Sequence, residues 1–128
     1  MSDRPLHDPA RTTPAVREKM ANNHRETIEE IRHALARHEV VVVGMAWNPH
    51  VPKARAALTE AGIEHHYLEY GNYITGWKQR LAIKMWSGWG TFPQVFVRTV
   101  LVGGNADLRK ALADGSLDHL RRGEGAAG

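Results

Sequence analysis

With no cysteine among its 128 residues, this chain has no thiolate of its own to act as nucleophile, disulfide partner or metal ligand. Its candidate chemistry therefore rests on histidines and on main-chain groups held open to a ligand. The main-chain signal lies in W-S-G-W-G-T-F-P-Q-V-F-V-R-T-V-L-V-G-G-N-A-D, from Trp86 to Asp107. Pro93 stands at the mouth of one short apolar run, where a missing backbone donor costs least. Gly103-Gly104 closes the next run, and Asn105 offers a helix start. Such a stretch presents backbone, rather than side chains, to a ligand. His50, in N-P-H-V-P, is the one titratable side chain of its turn and has general-base chemistry, although an exposed turn histidine is the simpler reading. His65 and His66 are neighbours on an expected strand and must face opposite sides, so they cannot share a metal. His7, His24 and His33 lack any zinc spacing, and no metal is expected.

The elements that position these residues follow from apolar periodicity. Residues 1–14, with Pro5, Pro9 and Pro14, read as a flexible arm, and 123–128 as a flexible tail. Ala15 to Arg37 is a helix with Ile28, Ile31 and Leu35 on one face. Val40 to Met45 is a continuous β-branched run, expected of a strand covered on both faces. Asn48 to Pro52 is a turn, followed by a helix burying Ala54, Leu58 and Ala61 and stopping at Gly62. Ile63 to Tyr70 is a second strand, parallel to the first through a right-handed crossover. Thr75 can cap a helix with Trp77, Leu81 and Met85 along one side. Two strands joined by Arg98-Thr99 form a hairpin, and a last helix from Asn105 turns Leu108, Ala111 and Leu112 inward before Gly115. Leu117 and Leu120 add one more turn.

Composition narrows the class of protein. Apolar residues make up 42% and charged residues 24%, ordinary for one globular domain of this length. The net charge of +3 is spread as alternating signs rather than as a basic stripe, so nucleic-acid binding is not expected. No apolar run approaches the ~20 residues of a membrane span, so neither membrane insertion nor a signal peptide is expected, and a cytoplasmic protein is the default.

The order helix, strand, helix, strand, helix, hairpin, helix, with T-F-P before the hairpin and G-G before the last helix, resembles a thioredoxin fold of the glutaredoxin type. W-G-T-F-P-Q-V-F-V is especially similar to the corresponding segment of monothiol glutaredoxins, with Gly90 where that family has proline. The resemblance spans roughly residues 25 to 122, within a single domain at 15–122. It implies an α/β fold with a central four-stranded mixed sheet flanked by helices, plus an extra N-terminal helix. It also implies a glutathione groove. Thr91 and Phe92 would pair with the tripeptide beside a cis Pro93. The amides of Gly104, Asn105 and Ala106 would receive the γ-glutamyl carboxylate, and Arg80 would meet the glycyl carboxylate, with Lys84 one turn on. Asp107 matches an aspartate of the dithiol pattern.

The departures from that family are chemical. Its cysteine-bearing turn aligns with Asn48-Pro49-His50-Val51, so Asn48 and Val51 stand where cysteines would. Asn105 replaces a third frequent cysteine, Ala46 a basic residue, and Ala106 a Ser or Asp that often helps hold the glutamyl end. Pro52 lacks the amide that a helix capped by Asn48 would use, and it disfavours helical geometry at Val51. Regular helix is therefore expected from Pro52, with Asn48 to Val51 as a separate turn.

The resulting reading is a glutaredoxin-like domain without thiol–disulfide activity, serving as a binding module for glutathione or a protein partner. Its plain alternative is an inherited turn that binds nothing, with Arg80 and Lys84 on a solvated helix face. A second reading is an enzyme using the thiol of bound glutathione, with His50 as base. A third, an iron–sulfur role as in monothiol glutaredoxins, lacks the thiolate that cluster ligation needs. Most of the tryptophans are expected in the core or groove wall, while Trp47 could line an apolar contact patch for a protein partner.

Overall fold

A computed structural model describes residues 14–123, with side chains from residue 25 onward. The arm expected over 1–14, apart from Pro14, and the tail beyond Gly123 lie outside the described residues. Nine elements follow in order: α1 (Pro14–Arg37), β1 (Val40–Gly44), α2 (His50–Glu60), β2 (His66–Glu69), α3 (Trp77–Ser87), β3 (Gln94–Val97), β4 (Val100–Gly103), α4 (Asn105–Asp114) and α5 (Ser116–Arg121).

The sheet is mixed, with strand order β2-β1-β3-β4. β1 runs parallel to β2 and antiparallel to β3, and β4 returns antiparallel to β3. Every residue of β1 is buried, and strand alternation sends successive side chains to opposite layers. Val40 and Val42 join Ala54, Leu58, Val95, Leu108 and Leu117 beneath α2, α4 and α5. Val41 and Val43 join Ile31, Ile83, Phe92 and Phe96 beneath α1 and α3. The unbroken valine run is thus the centre of a three-layer sandwich. The hairpin turns on Arg98 and Thr99, with φ of 49° and 67°, the left-handed pair that matches the twist of two-residue hairpins.

Several local expectations are corrected. β2 covers only the last part of the stretch expected from Ile63 to Tyr70, because it is an edge strand that pairs only where β1 lies beside it. Ala61 is exposed, and Val51, Ala54, Ala57 and Leu58 form the buried side of α2. Helix α2 starts at His50, not at Pro52. Pro52 is the third helical residue, and the first four amides of a helix have no intrahelical acceptor, so its missing donor removes nothing. Helix α3 begins after Gly76, in the left-handed region at φ 77°, with no side-chain cap. Thr75 instead offers its carbonyl to Asn72 and Arg80. Trp77, Leu81 and Met85 do share one side of α3, but that side faces solvent; its inner side is made by Arg80 and Ile83.

Two polar ties hold β2 and α3 to the rest. Arg80 is buried, and its Nη1 donates to the carbonyls of Tyr70 at 2.9 Å and Thr75 at 2.7 Å. The Tyr70 hydroxyl donates to the Glu30 carboxylate on α1. Burial, followed by that hydrogen bond and the glutamate's charge, pushes the Tyr70 phenol well above its ordinary value; Tyr67, bonded to Glu69, is raised in the same way.

Two outcomes follow. Charge-assisted bonds contribute about 1.5–3 kcal/mol each, so Arg80→Ala should lower unfolding free energy in urea by about 3 kcal/mol, the freed carbonyls partly recovering solvent. A tyrosine whose folded pKa exceeds its unfolded value adds stability that is intact below about pH 10 and is lost as pH rises past it. Urea midpoints taken from about pH 8 to about pH 11 should therefore fall less steeply in Tyr70→Phe than in the native protein.

Candidate functional site

Four segments converge at the end of the sheet where β1 gives way to α2: the turn 45–49, the Gly88–Pro93 connection, the side of α3 nearest it, and the start of α4. Their joints are specific. The Asn48 Nδ2 donates to the Phe92 carbonyl at 3.1 Å, and the His50 amide donates to Asn48 Oδ1 at 2.9 Å. A β-carbon on Gly104 would lie 3.6 Å from the Pro93 carbonyl oxygen. Arg109 of α4 donates to the Lys53 carbonyl of α2 at 3.4 Å. These contacts bring the turn at Asn48 to Val51, Phe92-Pro93 and the start of α4 together, whereas the Arg80 guanidinium Nη1 is turned into the β2–α3 connection.

Asn48 is a connector. One side-chain atom starts α2 and the other holds the Phe92 backbone, so the position aligned with a cysteine now carries two hydrogen bonds. Val51, at the other cysteine-aligned position, is buried. Gly44 makes this possible: a β-carbon there would stand 2.9 Å from Val51 Cγ2 and 3.0 Å from the Tyr67 ring. Pro49 and His50 are exposed, and among the described residues nothing hydrogen-bonds to the His50 imidazole. A general base oriented by an acid is therefore not assembled here.

The Phe92–Pro93 bond is cis. Thr91 is exposed while Phe92 and Pro93 are buried, and the Phe92 carbonyl already accepts from Asn48. Lys84 Nζ lies 5.8 Å from the Phe92 ring centre, which sets a cation of α3 beside this segment. At α4, the Gly104 amide donates to the Asp107 carboxylate at 3.1 Å. Asp107 thus does for the helix start what an incoming carboxylate would do. Asn105 and Ala106 keep first-turn amides without intrahelical acceptors, and Asn105 Oδ1 accepts from Arg109 at 3.2 Å. Gly103 is required here: its φ is 127°, and a β-carbon would sit 2.7 Å from the Asp107 carboxylate.

The burial of Gln94 and the backbone of Trp47 were not visible from residue type. Gln94 is fully buried and donates to the Trp89 carbonyl at 3.0 Å, fixing the connection that leads to Thr91. Trp47, already singled out as a contact-patch residue, is 63% exposed and has φ 71°, a left-handed backbone that costs a non-glycine residue roughly 1–2 kcal/mol. Neither property carries a periodic signal. Among the described residues no group of three or more His, Asp or Glu is placed to hold a metal ion.

Asn48→Ala tests the connector. It removes both bonds and should lower unfolding free energy by about 1–3 kcal/mol in a denaturant titration; an unchanged midpoint would mean the tether is idle.

No protein-family profile matches the chain. Individual relatives do. It is 49% identical over 96 residues to a glutaredoxin-like protein of Dictyostelium discoideum, covering 75% of this chain and 78% of the relative. It is 31% identical over 87 residues to glutaredoxin 1 of Rickettsia felis, covering 68% and 84% of the two chains. Oxidized glutaredoxin 2 from Chlamydomonas reinhardtii superposes with a TM-score of 0.65 at 30% identity, covering 80% of this chain and 97% of its own. A buckwheat glutaredoxin–glutathione complex superposes with a TM-score of 0.70 at 18% identity, covering 82% and 96%. The four-stranded mixed sheet, the flanking helices and these relatives agree, and the chain belongs to the glutaredoxin family, as a member with no cysteine.

Proposed function

We propose that the protein is a binding module that keeps the peptide-accepting edge of a glutaredoxin and performs no thiol–disulfide exchange. Its ligand on this reading is glutathione. The observation that carries it is the exposed Thr91 edge beside the buried Phe92, with Lys84 Nζ 5.8 Å from that ring. An extended tripeptide could pair with the Thr91 backbone, as strands add to an open edge. Lys84 offers charge to the glycyl carboxylate, a role first expected of Arg80. The glutamyl carboxylate would meet the Asn105 and Ala106 amides, with Asp107 already bonded to Gly104 and competing for the same end. The glutathione complex formed by the buckwheat neighbour supports this choice of ligand. The cytoplasm, where glutathione helps keep thiols reduced, is the compartment this reading assigns.

Because no protein sulfur takes part, the thiol of the ligand is a bystander. Calorimetric titration should give glutathione and S-methylglutathione the same affinity, and Lys84→Glu should weaken both about tenfold, as loss of a favourable charge contact and its replacement by a repulsive one require. Absence of heat at millimolar ligand would overturn the reading. A marked preference for the free thiol would favour the alternative in which His50 acts on it.

A further inference from the structure

The outer face of α3 is a second surface, which adjoins the groove at Trp47 and Lys84. Trp77, Leu81 and Met85 recur every fourth residue and are 50%, 48% and 77% exposed. Trp47, Tyr73 and Ile74 stand exposed before the start of that stripe, with the Trp47 and Tyr73 rings 6.4 Å apart. Several large apolar side chains left exposed along one helix face and just before it point to a contact site. The left-handed backbone of Trp47 points the same way, since strain kept at an exposed aromatic gains nothing from packing.

Charge selects the occupant. From Gly71 to Ala106 the chain has no Asp or Glu, but it carries Lys78, Arg80, Lys84 and Arg98. At about 100° per residue, Lys78 falls on one margin of the stripe and Lys84 on the other. Lys78 Nζ already lies 5.5 Å from the Trp77 ring centre. A second copy of this chain docked stripe to stripe would set the lysines of α3 against one another, with no acid on α3 to meet them. Residues 1–13 offer only Met1 and Leu6 as large apolar side chains, too few to cover the stripe. A ridge of i, i+4 residues is complementary to the groove of another helix.

We propose that this face docks an amphipathic helix of a different protein, with an apolar stripe seated on Trp77, Leu81 and Met85 and carboxylates along its margins meeting Lys78 and Lys84. The proposal goes beyond glutathione binding and does not depend on it.

The test uses the full chain and two synthetic amphipathic helices with the same leucine face, one with glutamates and the other with lysines on its margins. The glutamate helix should bind and shift the indole N–H resonances of Trp47 and Trp77, with the lysine helix at least tenfold weaker. Leu81→Ser combined with Met85→Ser should weaken it about tenfold, and Lys78→Glu should reverse the preference. Glutathione affinity should stay unchanged in Leu81→Ser/Met85→Ser, which separates this surface from the groove. Equal binding of the two helices, or none, overturns the proposal. So does a dimer in sedimentation equilibrium that Leu81→Ser dissociates, or binding to phosphatidylserine-containing vesicles with neither peptide bound.

Discussion

A buried guanidinium tied to two backbone carbonyls is the constraint on which the functional end of this molecule depends. A cation taken out of water is costly unless its hydrogen bonds are replaced. Arg80 meets that demand by gripping the carbonyls of Tyr70 and Thr75. The β2–α3 connection is thereby held against the first turns of α3, and the Gly71 amide region closes on Thr75 so tightly that a β-carbon there would lie 2.1 Å from its oxygen. The direction in which α3 leaves the sheet follows from this grip. With that direction set, Lys84 comes to Phe92 on one side, and Trp77, Leu81 and Met85 are left outside on the other.

Glutaredoxin architecture persists here without the atom around which its chemistry turns. The two cysteine-aligned positions have not become inert. Asn48 joins two segments through its carboxamide, and Val51 fills the space that Gly44 leaves open. At α4, Asp107 occupies the Gly104 amide. Each of these residues serves the packing of the same end of the sheet.

The layers and their order were legible because the core is periodic. Four valines in a row specified a strand covered on both faces, and the Arg98-Thr99 spacing specified the hairpin. The glycine pair before Asn105 marked the α4 start for a reason the structure makes physical, since Gly103 needs both its backbone angle and its missing side chain. Legibility stopped where one residue type serves two ends. Arg80 reads equally well as a ligand anchor or a loop clamp, because a guanidinium donates alike to a carboxylate or a carbonyl. Pro52 read as a helix boundary, although the amide it lacks has no intrahelical acceptor in a first turn. Trp77, Leu81 and Met85 carry a helical period, but period alone does not say whether a stripe faces core or solvent.

The Asn48 carboxamide also bears on what its own position can accept. A cysteine at position 48 would bring in a sulfur while removing the acceptor of the His50 amide and the donor to Phe92. A cysteine at 51 would replace a buried valine in a site shaped by Gly44. A thiol at either position would therefore come only with the loss of hydrogen bonds or packing on which this end of the sheet now relies.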